Sequence, residues 1–144
     1  ERVTFDALEA ALCALLWRDP ELRAGALGRG EKILALLSDA RVKEIALAIL
    51  MESPDDLEVR WHSTGERLAP ACIARGDSFC DELEFSLPPD ASLWNAVCDA
   101  LRRKRAEERM RRIDERMKRH EATSEELAEF QRLATQLKSG KKRP

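Results

Sequence analysis

Residues 93–120, LWNAVCDALRRKRAEERMRRIDERMKRH, and residues 125–138, EELAEFQRLATQLK, are separated only by Glu121-Ala122-Thr123-Ser124. In the first stretch Leu93, Val97, Ala100 and Leu101, then Ala106, Met110, Ile113 and Met117, fall at helical spacing, which predicts one long helix from Leu93 to His120. In the second, Leu127, Phe130, Leu133, Ala134 and Leu137 form a stripe of the same period, and Thr123 and Glu126 stand at capping-box spacing ahead of it. Two helices joined by so short a break fold back as a hairpin, with Ile113 and Met117 the natural partners of Leu127 and Phe130 across the turn. The apolar stripe of the long helix narrows after Arg102, as in a hairpin arm that packs along one seam.

Working outward, the rest of the chain is expected to be helical as well. Of the 144 residues, 44% are hydrophobic and 36% charged, aromatics are 5% and Tyr is absent, a balance that favours amphipathic helices over sheet. The predicted class is all-α: an N-terminal multi-helix bundle over residues 1–89, then a long helix and C-terminal helical hairpin over 90–144, with Pro88-Pro89 as the boundary. The longest apolar run, Ala10 to Trp17, is far short of the roughly 20 residues that cross a bilayer, and no basic-then-apolar leader opens the chain, so a soluble cytoplasmic protein without membrane contact is expected. Because it begins at Glu1 and not at Met, the chain is expected to be the end of a longer protein, with Ser139 to Pro144 as the true C-terminus.

Within the bundle, Thr4 is a candidate cap for a first helix striped by Phe5, Leu8, Leu12, Leu15 and Leu16, which Asp19-Pro20 stops before a short turn of helix. A loop follows over Gly25 to Gly30, then a short helix around Ile33, Leu36 and Leu37. Ser38 or Asp39 caps a helix that is apolar nearly all round from Ile45 to Met51, and this is expected to be the central buried member. Ser53-Pro54-Asp55-Asp56 starts another helix through Trp61. His62 to Gly65 reads as a turn, Glu66 to Arg75 as a helix ended by Gly76-Asp77, and Asp77 to Leu87 as a short helix entering an extended piece.

No catalytic or cofactor-binding constellation emerges, and no metal site. Cys13, Cys72, Cys80 and Cys98 contain no C-x-x-C pair, the only histidines are His62 and His120, and Cys13 and Cys98 fall on apolar helix faces as small core residues. Gly25 to Gly30 lacks both the preceding strand and the Gly-Lys-Ser/Thr ending of a phosphate loop. The charge is unevenly placed: residues 1–90 hold 18 acidic and 10 basic side chains, residues 91–144 hold 9 and 15. Between Arg102 and Arg119 ten Lys or Arg face four acids, which invites a nucleic-acid reading. Pairs at helical spacing, Glu107 with Arg111, Glu108 with Arg112 and Glu115 with Arg119, favour a solvated helix instead, and the stretch offers no aromatic stacking platform.

Phe5-Asp6-Ala7-Leu8-Glu9 through Leu15-Leu16-Trp17-Arg18-Asp19-Pro20-Glu21-Leu22, together with the long charged helix, the Thr123-Ser124-Glu125-Glu126-Leu127 cap and a last helix with Phe130, Leu133 and Leu137, resembles the C-terminal helicase-binding domain of bacterial DNA primase of the DnaG type. The resemblance spans nearly the whole chain in order and layout, least in Trp61 to Pro89. It implies a non-catalytic protein-interaction domain that binds the N-terminal region of the hexameric replicative DNA helicase and couples primer synthesis to the fork. The nucleotidyltransferase and zinc-binding domains would lie upstream in a bacterial, cytoplasmic primase, and nucleic acid would be met only through that parent protein. The residues expected to carry partner binding are Glu126, Glu129, Phe130, Arg132, Leu133, Gln136 and Leu137 on the last helix, with Arg112, Arg116 and Arg119 on the opposite arm. Alternatives are a helical nucleic-acid-binding domain using residues 102–119 and a helicase-side oligomerisation module.

Overall fold

A computed structural model describes residues 4–141, with side chains placed through residue 138. Eight α-helices and no strand occur among the described residues: α1 (Ala7–Arg18), α2 (Pro20–Leu27), α3 (Gly30–Leu34), α4 (Ala40–Met51), α5 (Pro54–Thr64), α6 (Leu68–Ser86), α7 (Leu93–Lys118) and α8 (Ser124–Lys141). The protein is all-α. It divides into two compact units, Glu1–Leu101 and Arg102–Pro144, so the division falls inside α7, whereas the Pro-Pro boundary expected from sequence lies in the loop ahead of it. No helix among the described residues is long and apolar enough to cross a membrane.

In the first unit the central helix is α1, not α4. Every residue from Glu9 to Leu16 is buried, whereas Leu47 and Met51 of α4 are 47% and 69% exposed. The cause is side-chain size. Ala10, Ala11 and Ala14 let α1 be approached from several sides, and it packs on α2, α4 and most extensively on α6. At the α6 contact the decisive residue is Gly76. A Cβ there would lie 2.5 Å from the Ala10 carbonyl carbon and 2.8 Å from the Ala14 Cβ, so only glycine lets the helices meet this closely. Gly76 therefore sits inside a continuous helix and does not end one, contrary to the expectation of a stop at Gly76-Asp77 and an extended piece after it. Cys72 and Cys80, one turn to either side, continue the buried small-residue face, and the Cys80 thiol donates to the Ala11 carbonyl at 3.9 Å.

Local chemistry sets the helix ends. Asp6, in extended conformation, caps α1 by accepting from the Glu9 amide at 3.0 Å, in place of the Thr4 cap expected from sequence. Phe5 stays outside the helix under the Arg41 guanidinium, 4.7 Å from its ring centroid. Asp19 caps α2, which runs through Gly25 to Leu27 and so shortens the expected glycine loop. Asp39 caps α4, and Ser53 with Pro54 starts α5 as the sequence predicts. The expected His62–Gly65 turn is the last turn of α5, closed by Gly65 at φ 70°.

The one buried charged side chain among the described residues is Glu9, 2% exposed. Its carboxylate accepts from the Ser38 amide at 2.7 Å, the Ser38 hydroxyl at 2.9 Å and the Asp39 amide at 3.1 Å. These bonds tie the core helix to the entry of α4 and give the buried carboxylate the hydrogen-bond partners that its burial demands. All four cysteines are buried as free thiols. Cys13, hydrogen-bonded to Cys72 and shut away from solvent, is held well above the usual thiol range, and burial pushes Cys80 up to about 11.

Candidate functional site: the C-terminal hairpin

The second unit contains most of α7 and all of α8. Its turn is built from three local devices. The His120 and Glu121 amides donate back to the Met117 and Arg116 carbonyls at 3.0 and 2.8 Å, which closes α7 in a Schellman-like cap. His120 supplies the left-handed residue of that cap, at φ 59°. Thr123 and Glu126 then form the expected capping box: the Glu126 amide donates to the Thr123 hydroxyl and the Thr123 amide to the Glu126 carboxylate, both at 3.1 Å.

From this turn the arms run antiparallel, joined by polar bonds at increasing distance along the chain. Arg116 reaches Glu126 at 2.9 Å, and its second nitrogen donates to the Glu121 carbonyl. Arg109 grips Glu129 with two bonds, 2.9 and 3.1 Å, and Arg103 donates to the Leu137 carbonyl at 3.3 Å. Between these ties Ile113 is fully buried, and Met110, Met117, Phe130, Leu133, Ala134 and Leu137 are half-buried. Leu127, expected in the seam, is 42% exposed. The pairs along α7 also differ from those inferred by spacing: Arg103 pairs with Glu107, Arg105 with Glu108 and Lys118 with Asp114.

The residues singled out for partner binding thus fall into two groups. Glu126, Glu129 and Arg116 are engaged in ties between the arms, and Phe130, Leu133 and Leu137 lie half-buried on the same side of α8. Arg132 and Gln136 on α8, and Arg112 and Arg119 on or beside the end of α7, are exposed. Arg109 lies outside the expected set, although its bond to Glu129 lies at the middle of the hairpin. Its signal is a mirror spacing about the turn, 103 with 137, 109 with 129 and 116 with 126, which emerges once the turn is fixed.

The paired carboxylates titrate accordingly. The Thr123 amide, with help from Arg116, holds Glu126 below its ordinary range, and the Arg109 guanidinium does the same for Glu129. The seam is therefore fixed by charge-assisted bonds as well as by apolar burial. No family model, curated protein or solved structure matches the chain.

Proposed function

We propose that this chain is the helicase-docking domain of a bacterial DNA primase, a non-catalytic module that tethers the primer-synthesising part of its parent protein to the N-terminal region of the hexameric replicative helicase. The observation that carries this reading is the terminal hairpin. Its arms satisfy their own seam through Arg103, Arg109 and Arg116, while Arg112, Arg119, Arg132, Gln136 and Leu127 stay exposed. Further support comes from the Leu-rich opening helix, the Asp19-Pro20-Glu21-Leu22 element and the Thr-Ser-Glu-Glu cap on which the family resemblance rests. Exposed arginines suit this role because the planar guanidinium binds carboxylates in two-point fashion and arginine is enriched among interface hot spots. A surplus of positive charge also speeds encounter with an acidic surface and fixes the register of docking.

The test is titration of the chain against the replicative helicase of its own organism by calorimetry, beside a single-stranded DNA control. A helicase complex is expected, with Arg112→Glu plus Arg132→Glu weakening it by about ten-fold through a slower association rate. Leu133→Ala, in contrast, acts by loosening the hairpin, and circular dichroism separates the two effects. Absence of any helicase complex, or a complex indifferent to both charge reversals, would sink the docking role. DNA binding that falls steeply with salt, without helicase binding, would transfer the function to the basic arm.

A further inference from the structure

A groove of about 380 Å³ opens on the first unit where α1, α5 and α6 meet. Trp17 and Trp61 pack on each other in its wall, ring centroids 5.1 Å apart and planes tilted by 35°, with Trp61 8% exposed and Trp17 half-buried, and Ile73 adds to the apolar wall. Carboxylates line it from three positions: Glu58 on α5, Glu66 at the α5–α6 junction and Asp77 on α6. No Lys or Arg is among the lining residues. Glu66 is held in place by accepting from the Leu68 amide at 2.7 Å. Asp77 meets Arg18 only at 3.7 Å, and both side chains are close to half exposed. The Asp77 Oδ1 atom, the one that faces Arg18, is shielded from solvent and accepts no hydrogen bond among the described residues, whereas the side chain as a whole is 47% exposed.

Aromatic faces bounded by carboxylates select cations with a flat, weakly hydrated charge. The indole quadrupole attracts positive charge over the ring, and three acids repel any anion that the apolar wall might hold. A metal ion is a poor match, since no group of three candidate ligands is gathered among the described residues. The geometry points to this groove as a receptor for an arginine side chain of a partner protein. Arginine fits better than lysine because one guanidinium can lie on the accessible part of the Trp17 indole while its edge donates to Asp77 or Glu58. The surrounding charge agrees: residues 1–101 hold 19 acidic against 10 basic side chains, a net −9 that draws a basic segment towards the unit. Nothing in this site depends on the hairpin, so the failure of one assignment leaves the other standing.

The intact chain carries its own control, because the third tryptophan, Trp94, lines a different groove. Indole N–H signals of the ¹⁵N-labelled protein are followed by NMR at low salt while acetyl-Ala-Ala-Arg-Ala-Ala-amide is added, and again with citrulline in place of arginine. The expected result is saturable shifts at Trp17 and Trp61 but not at Trp94, binding at least about ten-fold weaker for the neutral citrulline peptide, and an about three- to five-fold loss in Glu58→Gln. Asp77→Asn provides a second charge removal on a different helix, and unchanged circular dichroism in either variant excludes a folding defect. Equal response to both peptides, shifts spread to Trp94, or full affinity in both charge-removal variants would overturn the assignment. So would tetramethylammonium binding as tightly as the peptide, which would make the groove a site for small cations.

Discussion

Gly76 illustrates how a single hydrogen atom in place of a methyl group decides a helix crossing. Its neighbours are the Ala10 carbonyl and the Ala14 Cβ, and backbone cannot swing aside as a flexible side chain would. Gly76→Ala should therefore destabilise the first unit by about 2–4 kcal/mol despite alanine's better helix propensity, which alone would stabilise by roughly 1 kcal/mol. Chemical denaturation followed by tryptophan fluorescence measures this directly, and a variant as stable as the parent would show that α1 and α6 can part at little cost. From sequence, Gly76-Asp77 resembles a helix stop, since glycine is the usual residue beyond a C-terminus. Tertiary contact overrode that local signal. The role of Glu9 is hidden in the sequence for a similar reason: an acid among apolar neighbours reads as a first-turn charge until Ser38 and Asp39, far along the chain, come to meet it.

At the level of the element, the features decided within a few residues were legible and those decided across helices were not. The Thr123–Glu126 box, the Ser53-Pro54 start and the hairpin turn all depend on neighbours in the chain, and the sequence predicts each of them. The Arg109–Glu129 and Arg116–Glu126 ties depend on how two helices align, which spacing within α7 alone does not reveal. The turn also carries a local cost at His120, an L-residue at φ 59°. His120→Gly should stabilise the hairpin by about 0.5–1 kcal/mol, read as slower amide exchange in α8. Acid acts in the opposite direction. Glu126 and Glu129 have folded-state pKa values below their unfolded ones, so their stabilisation is complete above the ordinary glutamate range near about 4.3 and is lost as pH falls through the depressed folded values. Helicity of the second unit should decline on acidification through that window, and Arg109→Gln should make the decline shallower. An unchanged acid profile in Arg109→Gln would show that the pair contributes nothing.

On the scale of the whole molecule, the two units differ in what sustains them. The first unit has an extensive buried core around α1, whereas Ile113 is the only fully buried large apolar side chain described in the second. A pair of helices with so little buried surface depends on capping and ion pairs, each contributing modestly. Amide exchange should accordingly be fastest along α8 and slowest in α1 and α6, with the centre of α1 approaching the global limit. Uniform protection across both units would mean that they open together. The all-α class followed from composition and periodicity alone, but the choice of central helix did not. The apolar circumference of α4 pointed to it, while the alanines of α1, weak as hydrophobic signals, are what allow neighbours to crowd around.

Every cysteine of the chain falls within residues 1–101, and all four are buried. Cys13, Cys72 and Cys80 lie in the core of the first unit, so thiol-specific reagents are shut out from them until that core opens, and the second unit contains no cysteine. The molecule thus contains a stopwatch for one half of itself: the pace of alkylation at Cys13, Cys72 and Cys80 in native buffer counts the openings of the bundle, however often the hairpin frays.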